Sequence, residues 1–201
     1  MEILYTKTNR ITAGVDPGLA GAFAIINAFN VTFIPMPVVK VTKPKGKIET
    51  RLELLTLNNL FEQFKMDDVF LVIEKQRAFS NWIFGNDENN KSIVVDVTPQ
   101  GTTSTFKTGF GYGVLIAFAI AHQIEYKLVS AQTWQRSVFP MMGNAKTKEV
   151  SIKRAKELYP NVNLKSERNR VDNHNYADAL LIAHFGKLLQ ESNNGMSLYT
   201  K

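Results

Sequence analysis

Ile11-Thr12-Ala13-Gly14-Val15-Asp16-Pro17-Gly18-Leu19-Ala20-Gly21 is the stretch that decides the fold. An apolar run ends abruptly on a carboxylate, a Pro-Gly pair follows, and a second apolar run begins, Ala22-Phe23-Ala24-Ile25-Ile26. Short apolar runs separated by Pro and Gly read as two strands joined by a tight turn. Asp16 then stands at the end of the first strand, where a sheet opens to solvent. Gly18 and Gly21 leave room beside it for a backbone or a phosphate. Asp-Pro-Gly is also ordinary turn chemistry, so the role of Asp16 depends on what the rest of the chain brings to it.

Val31 to Met36 reads as a third strand, completing an antiparallel meander. Pro37 to Lys47, with Lys40, Lys43, Lys45 and Lys47 around Pro44 and Gly46, reads as a basic loop. It is either a solvated linker or an arm for phosphates. Apolar residues at helical spacing predict a helix from Glu49 to Lys65. Val69-Phe70-Leu71-Val72-Ile73-Glu74 is an unbroken apolar strand of the kind a parallel sheet covers on both faces. It too ends on a carboxylate. A helix between two strands makes a crossover, which sets this strand parallel to the first and brings Glu74 to the same edge as Asp16.

Lys75 to Thr105 is polar, with Lys75, Arg77, Phe79, Trp82, Phe84 and Lys91 interleaved, and reads as an excursion from the sheet. Its aromatics either dock locally or stack on bases. Gly109-Phe110-Gly111-Tyr112-Gly113 reads as a glycine-rich turn opening an apolar helix that runs to about His122. Tyr126 to Val129 is the fifth strand, and Ser130 caps a short helix with Trp134 on its inner face. Phe139 to Ala145 reads as a loop. A basic helix from Thr147 to Tyr159 carries Lys148, Lys153, Arg154 and Lys156. The last helix runs from about Asn173 to Leu189, and the tail from Ser192 is expected to fray. One domain covers residues 1–201, with its core at about 11–190.

Composition narrows the function. The chain has 201 residues, 24 Lys and Arg against 18 Asp and Glu, and a net charge of +6. This balance suits a protein that meets phosphates. With no cysteine, disulfides, zinc-thiolate centres and thiol nucleophiles are excluded. No apolar run reaches the ~18 residues of a membrane helix, and no targeting pattern opens the chain. The reading is therefore a soluble intracellular protein, expected in the cytoplasm.

On the last helix His174 and Asp178 stand four residues apart and share a face. Asp178 directly abuts the core run Ala179-Leu180-Leu181-Ile182-Ala183, where an unpaired charge is costly. If that helix packs beside the central strands, Asp16, Glu74 and Asp178 converge. Clustered carboxylates repel unless a cation neutralises them. Their oxygens select hard cations, Mg²⁺ or Mn²⁺, and two such ions ~3.5–4 Å apart can hydrolyse a phosphodiester.

In order and type these motifs resemble the RuvC-type Holliday-junction resolvases of the RNase H-like fold, and most closely their plant chloroplast and phage-type branch. Gly14-Val15-Asp16-Pro17-Gly18 is similar to the family's first motif and Val72-Ile73-Glu74 to its second. Gly109-Phe110-Gly111-Tyr112-Gly113 resembles the glycine-rich segment that approaches the junction. Thr147-Lys148-Glu149, Lys153-Arg154-Ala155 and Leu158-Tyr159-Pro160 resemble the lysine-bearing helix at the scissile phosphate, and His174 to Ala183 the terminal motif. Where many bacterial members carry an acid three residues before the final Asp, this chain has Asn175. His174 then takes that place, as in the chloroplast branch, with Asp172 the alternative.

The resemblance implies an α/β domain with a five-stranded mixed sheet and a metal-dependent endonuclease that resolves four-way DNA junctions as a homodimer. Asp16, Glu74, Asp178 and His174 would hold Mg²⁺, two ions per site, with Mn²⁺ a substitute. Lys148 would stabilise charge at the phosphate. Lys75, Arg77, Gly109, Phe110, Gly111, Tyr112, Lys146 and Lys153 would contact the DNA. The rival readings are an RNase H or transposase-like nuclease, a junction-binding protein without catalysis, and an actin-like ATPase. The last needs a second lobe with its own phosphate loop, which the sequence lacks.

Overall fold

The computed structural model describes residues 10–76, 80–86, 88–89, 92–99, 101–139, 148–166 and 171–196. Of the predicted DNA contacts, Arg77 and Lys146 lie outside these residues, as does Thr147.

The expected five-stranded mixed sheet is present. Strands β1 (Thr12–Asp16), β2 (Ala22–Ile26), β3 (Val31–Pro35), β6 (Phe70–Glu74) and β9 (Tyr126–Val129) are ordered β3-β2-β1-β6-β9. The first three form the antiparallel meander, and β6 and β9 run parallel to β1. The parallel half follows from the crossovers. Helix α1 (Leu54–Met66) precedes β6, and α2 (Thr102–Ala121) precedes β9.

Side chains alternate across the sheet with the period of two that strands impose. Ala13, Val15, Leu71 and Ile73 face one way, into a core completed by Leu57, Phe61 and Phe64 of α1 and Leu115 and Ala119 of α2. Phe70 and Val72 face the other way, toward α3 (Ala131–Val138), α4 (Lys148–Leu158) and α5 (His174–Met196). The result is three layers with the sheet in the middle. Asp16 and Glu74 each come one residue after a side chain of the α1/α2 core, so the same alternation turns both to the α3/α5 side.

Helix α5 lies unusually close to β1. A Cβ on Gly14 would fall 2.2 Å from the Ala183 amide nitrogen and 2.3 Å from the Ala179 carbonyl oxygen. Gly186 meets Val72 and Thr12 in the same way, at 2.6 and 2.7 Å. Glycine here serves close approach of helix to strand. The small residues Ala179, Ala183 and Gly186 line the contact, and Gln190 adds a hydrogen bond to the Thr12 hydroxyl at 2.9 Å.

Five expectations need correction. The last helix does not end near Leu189 with a tail fraying from Ser192: α5 continues to Met196. The basic stretch from Pro37 to Lys47 belongs to a two-stranded hairpin, β4 (Val38–Thr42) with β5 (Ile48–Leu52). The first helix therefore begins at Leu54, not Glu49, with the Glu53 carboxylate accepting from the Leu55 and Thr56 amides. The polar excursion after Lys75 contains a second hairpin, β7 (Ser80–Asn86) with β8 (Ser92–Pro99). The glycine segment opens no helix. It lies in the middle of α2, which starts at Thr102 and is apolar and long enough to cross a membrane by length and composition. Both ribbons escape sequence reading because apolar and polar residues do not alternate cleanly along them.

Candidate metal centre

The site grows from two strand ends. Val15 pairs with Ile73 in the parallel β1–β6 ladder, so the next residues, Asp16 and Glu74, leave adjoining strands side by side. The Pro17-Gly18 turn is drawn tight over Asp16. The Gly21 amide donates to the Gly18 carbonyl at 2.8 Å, and the Gly18 amide points at Asp16 Oδ1 at 3.4 Å. A Cβ at Gly21 would sit 2.1 Å from the Asp16 carbonyl oxygen, so this turn position accepts only glycine.

The third carboxylate arrives on α5. The Asn173 side chain accepts from the Asn175 amide at 3.0 Å and covers the start of the helix. The Asn175 side chain reaches across 155 positions to donate to the Ala20 carbonyl at 2.6 Å. It latches the first turn of α5 to the loop that follows Asp16. Asp178 lies one turn further along, just before the close contact at Gly14.

All three groups are desolvated, and Asp16 and Glu74 also feel the charge of Asp178. Burial pushes Asp16 up to about 6, with the Asp178 charge adding to the rise and the Gly18 amide opposing it. Burial pushes Glu74 up to about 7. A hydrogen bond from Trp134 counters this, and the charges of Asp16 and Asp178 raise it further. Asp178 is also raised by burial, against a hydrogen bond from Ser151 and the nearby charges of His174 and Lys148. The Trp134 bond is direct, indole Nε1 to Glu74 Oε2 at 3.0 Å. Desolvated carboxylates that repel one another at the mouth of a fold are the arrangement a cation relieves.

The structure thus brings Asp16, Glu74, Asp178, His174 and Lys148 into one electrostatic neighbourhood. Among the described residues, no three His, Asp or Glu side chains stand close enough to hold one ion as they are. The donor chemistry nonetheless fits Mg²⁺ or Mn²⁺, since hard oxygen ligands in a desolvated setting are what these ions take. Asp172, the alternative fourth ligand, is paired with Lys156 at 2.5 Å.

The predicted DNA contacts divide. Lys75 follows Glu74 directly and is exposed, as is Lys153 on α4. Gly109, Phe110, Gly111 and Tyr112 lie on α2, across the sheet from α5. Phe110 is half-exposed and stacks with Phe106 at 6.4 Å between ring centres. Gly111 is buried, and a Cβ there would lie 3.6 Å from Leu52. Burial raises the Tyr112 hydroxyl. Being helical, Gly111 has no free backbone to offer a strand.

Sequence reasoning missed Trp134, Ser151 and Asn175 as partners of the site. A buried indole N–H needs an acceptor, so Trp134 on an inner face was a usable signal. Ser151, three residues after Lys148, shares its helical face. Asn175 gave none.

These features define a three-layer α/β domain with an RNase H-like fold and acidic groups gathered at one sheet edge. No family model matches the chain, and no curated protein matches it. Among solved structures it is similar to Thermus thermophilus RuvC in complex with a Holliday junction substrate. The TM-score is 0.53 and the identity 10%, over 92% of this chain and 96% of that one. A second structure of Thermus thermophilus RuvC is matched at TM-score 0.49 and 13% identity, over 92% and 97%. The likeness shows the fold, that of RuvC.

Proposed function

We propose that this chain is a metal-dependent, structure-selective endonuclease that cuts four-way DNA junctions, working as a homodimer. The observation that carries the proposal is the meeting of Asp16, Glu74 and Asp178, all desolvated and all raised by burial, on the fold of a protein solved with a Holliday junction.

Asp16, Glu74 and Asp178 would hold the divalent ions, with His174 as a further ligand or as the group that orients water. Bound Mg²⁺, two ions per site, supplies an activated water and charge stabilisation at the leaving oxygen. Lys148, near enough to lower Asp178, acts on charge that grows on the phosphate. Lys75 and Lys153, with Arg77 and Lys146, hold backbone phosphates and position the duplex without reading its sequence.

A homodimer would set two such edges on opposing strands of one junction. The exposed apolar residues Phe106 and Ile120 of α2 offer a face for it.

A substrate panel tests this reading. A four-way junction, a flap, an RNA–DNA hybrid and a plain duplex are incubated in Mg²⁺ and in EDTA. The expected result is symmetric incision of the junction in Mg²⁺ and binding without cutting in EDTA. Preference for the hybrid would move the protein to the RNase H class. Junction binding that never leads to cutting would make it a binding protein.

A further inference from the structure

We infer that Trp134 is a positioning residue of the candidate metal centre: its indole N–H holds one oxygen of Glu74 and so fixes how that carboxylate would be presented to an ion. The inference deepens the proposed function and rests on its metal site.

Trp134 is 1% exposed and sits on α3 directly after β9. β9 is the strand beside β6, with Val129 paired to Glu74, and the Lys75 amide donates to the Val129 carbonyl at 2.7 Å. The end of β6 and the start of α3 are therefore tied by backbone. Ser130 caps α3, its hydroxyl accepting from the Thr133 amide at 3.2 Å, which fixes the helical phase that turns Trp134 inward. Phe139 packs on the indole at 6.3 Å between ring centres, and Val138 belongs to the same core. The ring is held by its packing, so the N–H is a fixed donor rather than an adaptable one.

Its acceptor is Glu74 Oε2 at 3.0 Å. A carboxylate has two oxygens, and this bond engages one of them from the α3 side. The bond uses one lone pair of Oε2 and fixes the plane of the carboxylate, so that the side chain cannot turn away from this orientation without breaking it. Groups that hold metal ligands in this manner typically contribute about 10–100-fold in metal affinity. A buried indole needs an acceptor, but a backbone carbonyl would serve a purely structural role as well. Here the acceptor is the acid that ends β6.

The experiment measures Mn²⁺ binding to the full chain without DNA, by the paramagnetic resonance of free Mn²⁺. Wild type is compared with Trp134→Phe and Glu74→Gln, and thermal midpoints are recorded in EDTA. Trp134→Phe keeps an aromatic ring and loses the N–H. The expected result is about tenfold weaker Mn²⁺ binding for Trp134→Phe, with a folded protein in EDTA, and a larger loss for Glu74→Gln. If packing alone prevents Trp134→Phe from folding, benzothienylalanine at position 134, which has the shape of the indole without its N–H, is used in a Trp82→Phe background. It is expected to weaken Mn²⁺ binding equally. Mn²⁺ binding that falls for Glu74→Gln but not for either Trp134 replacement would overturn the positioning role and leave the metal site standing. Binding unchanged in all of them would overturn the metal site itself.

Discussion

At the scale of single residues, the acids at the sheet edge conflict with the fold that holds them, and this makes their role measurable. Asp16→Asn, Glu74→Gln and Asp178→Asn each remove a ligand charge at constant volume. Each is expected to reduce Mg²⁺-dependent junction cleavage by at least ~10²–10³ while binding in EDTA stays close to wild type. Cleavage within tenfold of wild type, measured in single turnover, would remove that residue from the metal centre. The apo protein supplies a second reading. Glu74 lies at about 7 and Asp16 at about 6, above the values of an unfolded chain. A raised acid favours the folded state when protonated, so its stabilising effect is full below the unfolded value and is lost as pH rises through 6 to 7. Glu74→Gln should therefore be more stable than wild type at pH 8 in EDTA, by on the order of 1–2 kcal/mol, and the difference should vanish near pH 4. Lys148 separates chemistry from binding. Lys156 is committed to Asp172, whereas Lys148 acts on Asp178. Lys148→Ala is expected to lower the single-turnover rate at saturating protein by about 10², and Lys156→Ala is not. Equal recovery of both variants at saturation would take Lys148 out of the active site.

At the scale of elements, glycine means opposite things in β1 and in α2. Gly14 lets α5 touch the sheet. Gly14→Ala would place a methyl 2.2 Å from backbone nitrogen, and the helix that carries Asp178 must move away. The expected outcome is a loss of more than ~3 kcal/mol or failure to fold, read by chemical denaturation. A Cβ at Gly109 or Gly113 would meet no atom of the described residues within 4 Å, and both positions lie inside a helix. Alanine at either is expected to raise monomer stability by ~0.5–1 kcal/mol. This contrast marks what the sequence makes legible. The strands β1 and β6 and the core of α5 are readable because apolar runs adjoin an acid. Their convergence follows from crossover handedness and side-chain alternation. The glycine segment misleads because glycines spaced two apart mimic a turn, while the burial of Gly111, Leu115 and Ala119 on one side of the helix overrides weak propensity. The first hairpin is hidden by its lysines. The cap and inward face of α3 are legible at Ser130 and Trp134, but that the indole meets Glu74 depends on the register of β9 against β6, which no spacing along the chain encodes.

At the scale of the whole molecule, α2 presents an apolar face with no counterpart among the described residues. Helical spacing collects Phe106, Gly109, Phe110, Gly113, Ala117 and Ile120 into one stripe on the side opposite Gly111, Leu115 and Ala119. Phe106 is 72% exposed and Ile120 60%. Contiguous exposed apolar side chains are characteristic of interaction sites. Small residues four apart let a second helix approach closely, and an identical copy supplies the same stripe about a two-fold axis. Under the proposed function two junction strands also require two sites, and the described residues of one chain gather acids at one edge. The dimer is therefore expected to form through paired α2 helices, with each metal centre on the far side of its own sheet. Ile120→Glu sets a charge into that face, far from the acids. Light scattering at about 10 μM should give a dimer for wild type and a monomer for Ile120→Glu, whose Mn²⁺ binding should stay unchanged. The variant should nick junctions on one strand at a time rather than cut them in pairs. A dimer that persists in Ile120→Glu would place the interface elsewhere. A wild-type monomer that floats with lipid vesicles would assign the same stripe to a membrane surface and overturn the dimer.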